Sequence, residues 1–181
     1  MTGRDHPAER AVLFTRRLIL REFERGDAPE VCAMSREPAM KTWLPDQVYA
    51  DDSAAREVLA RLRAQYAEPD PRRAPYVLGI CLGASGELIG HAGLSPVAGE
   101  VEIGCAVEAS RRGEGYAAEA VEAFSEWGMR RFGLRRVLGI AASENVPSWK
   151  VLERAGFELV GEAEGVHHGR TGLVRTYERR P

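Results

Sequence analysis

Two arginines and two glycines lie close together in the segment S-R-R-G-E-G-Y-A-A-E-A, residues 110–120. Glycines let backbone N–H groups approach an anion closely. The first amides of a helix lack internal partners, and the helix dipole adds positive charge there. Because a helical pattern begins at Glu114, between the two glycines, we expect this loop to bind a pyrophosphate. The predicted binding residues are Arg111, Arg112, Gly113, Glu114, Gly115, Tyr116 and Ala117.

Two other interpretations of this loop are open. The glycines can simply form a tight turn that carries solvated arginines. The letters G-E-G-Y-A-A also satisfy the G-x-G-x-x-A fingerprint of dinucleotide-binding domains, which would indicate an oxidoreductase. However, five residues separate Val107 from Gly113, after what reads as an antiparallel meander. No acidic residue lies about 20 positions further on to bind a ribose, and both features disfavour the dinucleotide site.

Glu102 is a candidate general base on the strand before the loop. In Glu100–Val107 the residues Glu100, Glu102 and Gly104 alternate on one face of the predicted strand, and apolar residues cover the other. A carboxylate in this position can accept a proton from a substrate amine, which is mostly protonated at neutral pH. The alternation equally predicts a carboxylate that only faces solvent.

Histidines and aromatic residues give weaker signals. His91 lies in a strand pattern and is expected to be a hydrogen-bonded structural histidine rather than a base. His167 and His168 are neighbours in a loop, where we expect their side chains to diverge, so we predict no metal site. Trp43, Tyr49 and Trp149 can line an acceptor pocket or simply pack.

The elements that must position these residues alternate along the chain. The pattern predicts a strand at 17–21, helices after Asp27 and Asp51, and three strands between Tyr76 and Val107. A helix at 114–132, a strand at 136–142, a short helix at 147–155 and two final strands follow. This order is typical of a mixed α+β sheet.

Composition indicates one globular domain. The 181 residues are expected to form a single domain over 1–181, because this length supports one core. A formal charge of −2 gives no basic surface for nucleic acid. There is no long apolar run for a membrane, no signal-peptide core and only three scattered cysteines. We therefore expect a cytoplasmic protein that binds neither membranes nor nucleic acid.

Four segments in the right order resemble one known family. They are R-L-I-L-R-E-F near the start, V-E-I-G-C-A-V, R-R-G-E-G-Y-A-A-E-A and E-N-V-P-S-W-K-V-L-E-R-A-G-F. The sequence closely resembles the GNAT superfamily, particularly its ribosomal-protein N-acetyltransferase branch (RimJ/RimL type), over about residues 12–178. The resemblance implies the GNAT fold: a mixed, mostly antiparallel seven-stranded sheet with about four helices, in which two central parallel strands splay apart to admit acetyl-CoA.

The resemblance also implies roles for individual residues. The family's Q/R-x-x-G-x-G/A motif falls on Ser110 to Gly115, with Ser110 in place of the usual Gln or Arg. The strand end Cys105, Ala106 and Val107 looks like the one that pairs with the pantetheine arm. Asn145 and Ser148 fall on the family's N-x-x-S positions: Asn145 would orient the cofactor and Ser148 would protonate the departing thiolate. Both residues can equally be helix caps.

The expected activity is transfer of an acetyl group from acetyl-CoA to a primary amine, by direct attack through a tetrahedral intermediate. The acceptor can be a small molecule or a protein N-terminal α-amine, and Trp43 and Glu102 are the candidate acceptor-binding residues. The alternatives are a non-catalytic CoA-binding protein and the dinucleotide-dependent oxidoreductase. The resemblance permits a monomer or a homodimer.

Overall fold

In the computed structural model, residues 11–181 are described and form one mixed sheet with helices on both faces. The strands are β1 (Ala11–Phe14), β2 (Leu18–Arg21), β3 (Tyr76–Leu82), β4 (Leu88–Val97), β5 (Glu100–Val107), β6 (Val137–Ala142), β7 (Glu158–His167) and β8 (Arg170–Arg179). The helices are α1 (Ala28–Ser35), α2 (Pro38–Trp43), α3 (Asp52–Ala64), α4 (Tyr116–Phe132) and α5 (Val146–Arg154). The expected mixed α+β fold is confirmed.

The sheet has the order β1-β2-β3-β4-β5-β6-β8-β7. All neighbouring strands of this described sheet are antiparallel except β5 and β6, which are parallel and joined through α4. The described part of the chain has eight strands and five helices, rather than the seven and about four that were expected. The additional strand is β1. It precedes β2, which is the first strand that the sequence pattern indicated, and it pairs with β2.

Two apolar layers cover the sheet on opposite faces. On one face, α4 places Val121 and Phe124 in a cluster with sheet residues such as Ile103. On the other face, α1 and α3 bury a second cluster that includes Leu59. Strand β2 is buried throughout because its alternate residues enter different clusters, with Leu20 in the first and its neighbour Ile19 in the second. The central strands are therefore held from both sides.

Local turn and cap chemistry explains where several helices begin and end. Asp51 caps α3, because its carboxylate accepts a hydrogen bond from the Ala54 N–H at 2.9 Å. Gly156 ends α5 in the left-handed conformation, with φ +78°, as expected for a C′ glycine. The helix expected after Asp27 is α1, and Asp27 is its N-cap residue, but the Asp27 carboxylate forms a buried ion pair with Arg21 at 2.7 Å and does not cap the helix. No helix within residues 11–181 is long and apolar enough to cross a membrane.

Candidate active site

Strands β5 and β6 separate soon after they meet. Their only registered pair within the described residues is Glu102 with Leu138, whereas β5 pairs with β4 along its whole length as far as Val107. The backbone groups of 103–107 that face β6 therefore have no strand partner in the described sheet. Such an edge can pair with an extended ligand, as an added strand would. Cys105, Ala106 and Val107 lie at this end of β5, beyond its registered pair with β6, and their pairing with a pantetheine arm stays a prediction.

Two glycines shape the loop that leads from β5 into α4. Gly113 has φ +82° and Gly115 has φ +84°, a left-handed conformation that side chains other than glycine rarely adopt. Gly115 is the N-cap of α4, and no side chain of the described residues caps that helix. The first amides of a 17-residue helix are thus free to bind an anion. The helix begins at Tyr116, two residues later than the sequence pattern indicated.

Both loop arginines have carboxylate partners in the protein. The Arg111 guanidinium donates to both oxygens of Glu87, at 3.0 and 2.7 Å. The Nε of Arg112 donates to the Val107 carbonyl at 2.8 Å, and its guanidinium pairs with Glu37. These contacts attach the loop to neighbouring elements and neutralise part of its positive charge. Direct binding of a pyrophosphate by either side chain stays a prediction.

Arg17 is a cation at this loop that sequence reasoning missed. Its guanidinium lies 4.5 Å from the ring centroid of Tyr116 and donates to the Glu114 carbonyl at 2.9 Å. A Cβ atom on Gly115 would lie 3.5 Å from the guanidinium. Glu119, one turn into α4, holds Arg17 through its backbone N–H at 2.8 Å and its Nε at 2.7 Å. No local pattern joins two residues 102 positions apart.

Helix α5 brings Asn145 and Ser148 together. The Asn145 side-chain oxygen accepts a hydrogen bond from the Ser148 N–H at 3.3 Å, so Asn145 is an N-cap. The Ser148 side chain is half-buried, and its hydroxyl has no hydrogen-bond partner among the described residues. Ser148 can therefore donate its hydroxyl proton to a ligand. The nearby Trp149 is fixed by a hydrogen bond from its Nε1 to the Ser143 carbonyl at 3.2 Å.

Glu102 lies on the face of β5 that points away from α4. The residues on either side of it, Val101 and Ile103, are buried in the cluster with α4. Burial raises the pKa of the half-buried Glu102 carboxyl, and the nearby His168 opposes that shift. A carboxyl whose pKa is raised holds a proton more readily than a solvated one, which suits a general base.

His91 is next to this site on β4. It is paired with Ala106 across the strands, so its side chain lies on the same face as Glu102. Its Nε2 is 3.2 Å from the side-chain oxygen of Gln47, in the short 3₁₀ helix that follows α2. Burial lowers the pKa of His91 to about 4, so the ring is neutral at neutral pH. These contacts fit the structural role that the sequence indicated.

The tip of the β7–β8 hairpin reaches the segment after α2. His168 Nδ1 lies 3.1 Å from a carboxylate oxygen of Asp46, and the Arg170 guanidinium lies 5.0 Å from the ring centroid of Trp43. The expectation that His167 and His168 diverge is wrong, because their rings meet edge to face at 4.3 Å. His168 has φ +47°, which belongs to a tight left-handed turn and changes the direction of its side chain. Trp43 thus lies beside the tip of the β7–β8 hairpin.

The described structure also bears on the dinucleotide alternative. The sequence pattern placed the loop after an antiparallel meander, but β5, α4 and β6 do form a parallel β-α-β crossover. Dinucleotide-binding domains contain the same kind of unit. However, β5 pairs antiparallel with β4 on its other side, and it diverges from β6 beyond Glu102. This topology differs from the open, mostly parallel sheet of dinucleotide-binding domains.

Comparison with known proteins agrees with this geometry. The family profile described as "Acetyltransferase (GNAT) domain" matches residues 17–158. The chain is 28% identical over 170 residues to an uncharacterized N-acetyltransferase p20 of Bacillus licheniformis, covering 92% of this chain and 87% of that protein.

Two solved structures share the fold over almost their whole length. A GNAT-family acetyltransferase from Bacillus anthracis superposes with a TM-score of 0.79 at 22% identity, covering 93% of this chain and 97% of that one. The ribosomal-protein-S5-alanine acetyltransferase of Vibrio fischeri superposes with a TM-score of 0.77 at 17% identity, covering 94% and 96%. At these identities the likeness concerns the fold.

Proposed function

Because the chain belongs to the GNAT acetyltransferase family and is an acetyl-CoA-dependent enzyme, we propose that it acetylates a primary amine, the N-terminal α-amine of a protein or peptide. The observation that carries the proposal is the gap between β5 and β6, which opens beside the uncapped N-terminus of α4. The gap can accept the extended pantetheine arm of acetyl-CoA, and the helix N-terminus beside it can bind the pyrophosphate.

The residues of this chain fit acetyl-CoA in three places. The amides of 113–117 would hold the pyrophosphate, with Arg17 as an additional cation. The free backbone edge of 103–107 would pair with the pantetheine arm. Asn145 and Ser148 would lie beside the thioester. When bound, acetyl-CoA supplies an acetyl group activated as a thioester.

Glu102 removes the proton that the acceptor amine must lose. An α-amine has a pKa of ~7.7–8.0 and a lysine amine ~10.4, so both are largely protonated at neutral pH and cannot attack while charged. The carboxylate of Glu102 accepts this proton, directly or through a water molecule. Its raised pKa, caused by burial, favours proton transfer from the ammonium.

Ser148 supplies a proton on the opposite side of the reaction. Its free hydroxyl donates to the sulfur as the carbon–sulfur bond breaks, so that the leaving group departs as a thiol. Asn145 holds Ser148 in place by capping α5. The cap and the proton donor therefore belong to one local structure, and one does not exclude the other.

One comparison supports an α-amine as the acceptor. The Vibrio fischeri protein, which shares the fold, is named for acetylating an alanine of a ribosomal protein. In this chain, the segment with Trp43 and Gln47 and the hairpin tip with His168 contact each other beside the face of the sheet that carries Glu102 and His91. Membership of the ribosomal-protein branch is part of the same proposal, and a cytoplasmic monomer or homodimer stays a prediction.

Release of free CoA thiol in the presence of different amines tests the proposal. The panel contains short peptides with free N-termini, the same peptides with blocked N-termini and a single lysine, spermidine, and an aminoglycoside. We expect thiol release and a 42-Da mass increase (the mass of an added acetyl group) with the free peptides only. Transfer to the lysine, the polyamine or the aminoglycoside alone would contradict an α-amine acceptor. No transfer to any amine would contradict amine acetylation itself.

A further inference from the structure

Gly104 lies between the candidate base and the splayed end of β5. Alternate residues of a strand project to the same face, so Glu102, Gly104 and Ala106 share the face that points away from α4. In the proposed function, the amine that Glu102 deprotonates attacks an acetyl-CoA whose arm pairs with the backbone edge of 103–107. Gly104 lies within that edge, two positions from Glu102.

The space above Gly104 is open. A Cβ atom built there meets no atom within 4 Å, although the side chains at Glu102 and Ala106, two positions away on either side, are half-buried. Gly104 is thus an exposed position between two partly covered ones on the same face of β5. Its strand conformation is one that any residue can adopt, because its φ is not positive.

Packing does not require a glycine at this position. The cross-strand partner Gly93 offers a comparison, because a Cβ there would lie only 3.0 Å from Val77 Cγ2. A glycine inside a strand costs about 0.5–1 kcal/mol relative to alanine. No described neighbour therefore forbids a side chain at Gly104. What distinguishes Gly104 from other open strand glycines is its position beside Glu102 and the end of β5 that has no registered partner on β6.

Two side chains lie on the same face of the sheet as Gly104. On β4, His91 is opposite Ala106, and its Nε2 is 3.2 Å from the side-chain oxygen of Gln47. On β5, Glu102 lies two positions before Gly104. When Glu102 takes the proton of an amine, groups attached to the carbon that carries the amine would lie in the open space over Gly104.

We propose that Gly104 determines acceptor specificity, by leaving room for the substituents on the carbon that carries the amine. An α-amine is attached to a carbon that bears both a side chain and a carbonyl, whereas the amine of a lysine is attached to a slender methylene. Room over Gly104 therefore admits the branched carbon of an α-amine. The inference rests on the proposed function, because it deepens the α-amine assignment.

The test compares three pentapeptides that differ only in the first residue, which is glycine, alanine or valine. The variant Gly104→Ala adds one methyl group to the open space over this position. The matched control is Gly161→Ala, a strand glycine of β7 where a Cβ also meets no atom within 4 Å. Thiol release gives KM and kcat for each peptide, and thermal unfolding checks that both variants remain folded.

We expect Gly104→Ala to raise the KM of the valine peptide about tenfold more than that of the glycine peptide, because one methyl group that competes with a substrate side chain for the same space changes discrimination by about this factor. The KM of acetyl-CoA should be unchanged, and Gly161→Ala should behave as wild type. The alanine peptide should fall between the other two.

Three outcomes would overturn the inference. If wild type acetylates the peptides and Gly104→Ala keeps the same preference among them, Gly104 does not control the acceptor and the proposed function still stands. If only the KM of acetyl-CoA rises, the space holds the acetyl group instead. If wild type acetylates none of the peptides, the α-amine proposal fails, and this inference fails with it.

Discussion

Replacing Glu119 by glutamine tests how α4 is attached to the start of the sheet. The carboxylate accepts three hydrogen bonds from one short segment: from the Thr15 hydroxyl at 2.6 Å, the Arg17 N–H at 2.8 Å and the Arg17 Nε at 2.7 Å. Glutamine has nearly the same shape but only one acceptor oxygen and no charge. The substitution therefore removes the ion pair and leaves too few acceptors for the three donors.

The expected cost follows from the exposure of the pair. A hydrogen bond to a charged group contributes about 1.5–3 kcal/mol when it is shielded from water. The Arg17 side chain is 37% exposed and that of Glu119 18%, so solvent screening reduces the contribution of the ion pair. Since glutamine retains part of the network, we expect Glu119→Gln to lower the free energy of unfolding by about 2 kcal/mol.

The pH dependence of this loss has a definite sign. Burial acts to raise the pKa of Glu119, but hydrogen bonds from Thr15 and Arg17 outweigh it, and the pKa is lowered overall. A carboxyl whose pKa is lower in the folded state stabilises the fold above its unfolded pKa of ~4.3, and this stabilisation is lost as the pH falls through the folded value. The difference between wild type and Glu119→Gln should therefore be full at pH 7 and shrink below about pH 4.

Urea unfolding monitored by circular dichroism at pH 7 and at pH 3.5 measures this difference. The control is Glu122→Gln on the same helix, whose carboxylate is 54% exposed and lies 3.8 Å from Arg179. We also expect a higher KM for acetyl-CoA in Glu119→Gln only, because Arg17 is no longer held against the loop at Gly115. Equal stability of Glu119→Gln and wild type at pH 7, or a loss that does not change with pH, would refute the reasoning.

Three further predictions concern the reaction itself. Ser148→Ala should lower kcat by roughly 10²-fold and leave acetyl-CoA affinity in calorimetry unchanged, because it removes a proton donor; an unchanged kcat would exclude Ser148 from the mechanism. Glu102→Gln should reduce the rate most near pH 7 and least near pH 9, where an α-amine of pKa ~7.7–8.0 is already neutral; parallel pH profiles for variant and wild type would contradict a base. Gly115→Asp should abolish acetyl-CoA binding, since it places negative charge at the N-terminus of α4. Its control is Gly99→Asp, which introduces the same residue at a similar φ of +82° in the β4–β5 turn; equal binding by both variants would remove the loop from the cofactor site.

Features that depend on neighbouring residues could be predicted from the sequence. The turn around Gly113 and Gly115, the cap at Asp51 and the left-handed end of α5 at Gly156 all follow from short-range chemistry. The meander of β3, β4 and β5 follows from alternation and turn residues. In each case the groups that interact are close in sequence, so the pattern contains the whole cause.

Features that join distant segments could not be predicted in this way. Glu119 and Arg17 are separated by 102 positions, and His168 and Asp46 by 122, so nothing local relates them. The contact at Asp27 is a short-range exception, because its carboxylate accepts from Arg21, six residues before it, and does not cap α1. The helix-start pattern alone does not show which of two nearby donors a carboxylate will bind.

The sequence by itself determined the loop between β5 and α4, because a left-handed turn and a helix start are properties of its own residues. The family resemblance implied two splayed strands, but only the tertiary structure decided that β5 and β6 separate beyond Glu102, and that Gly104 lies in open space beside that carboxylate. Both strands pack on one face against a cluster that contains residues of α4 and α5, which are distant in sequence. Strand divergence depends on the whole sheet, and no single stretch of residues encodes it.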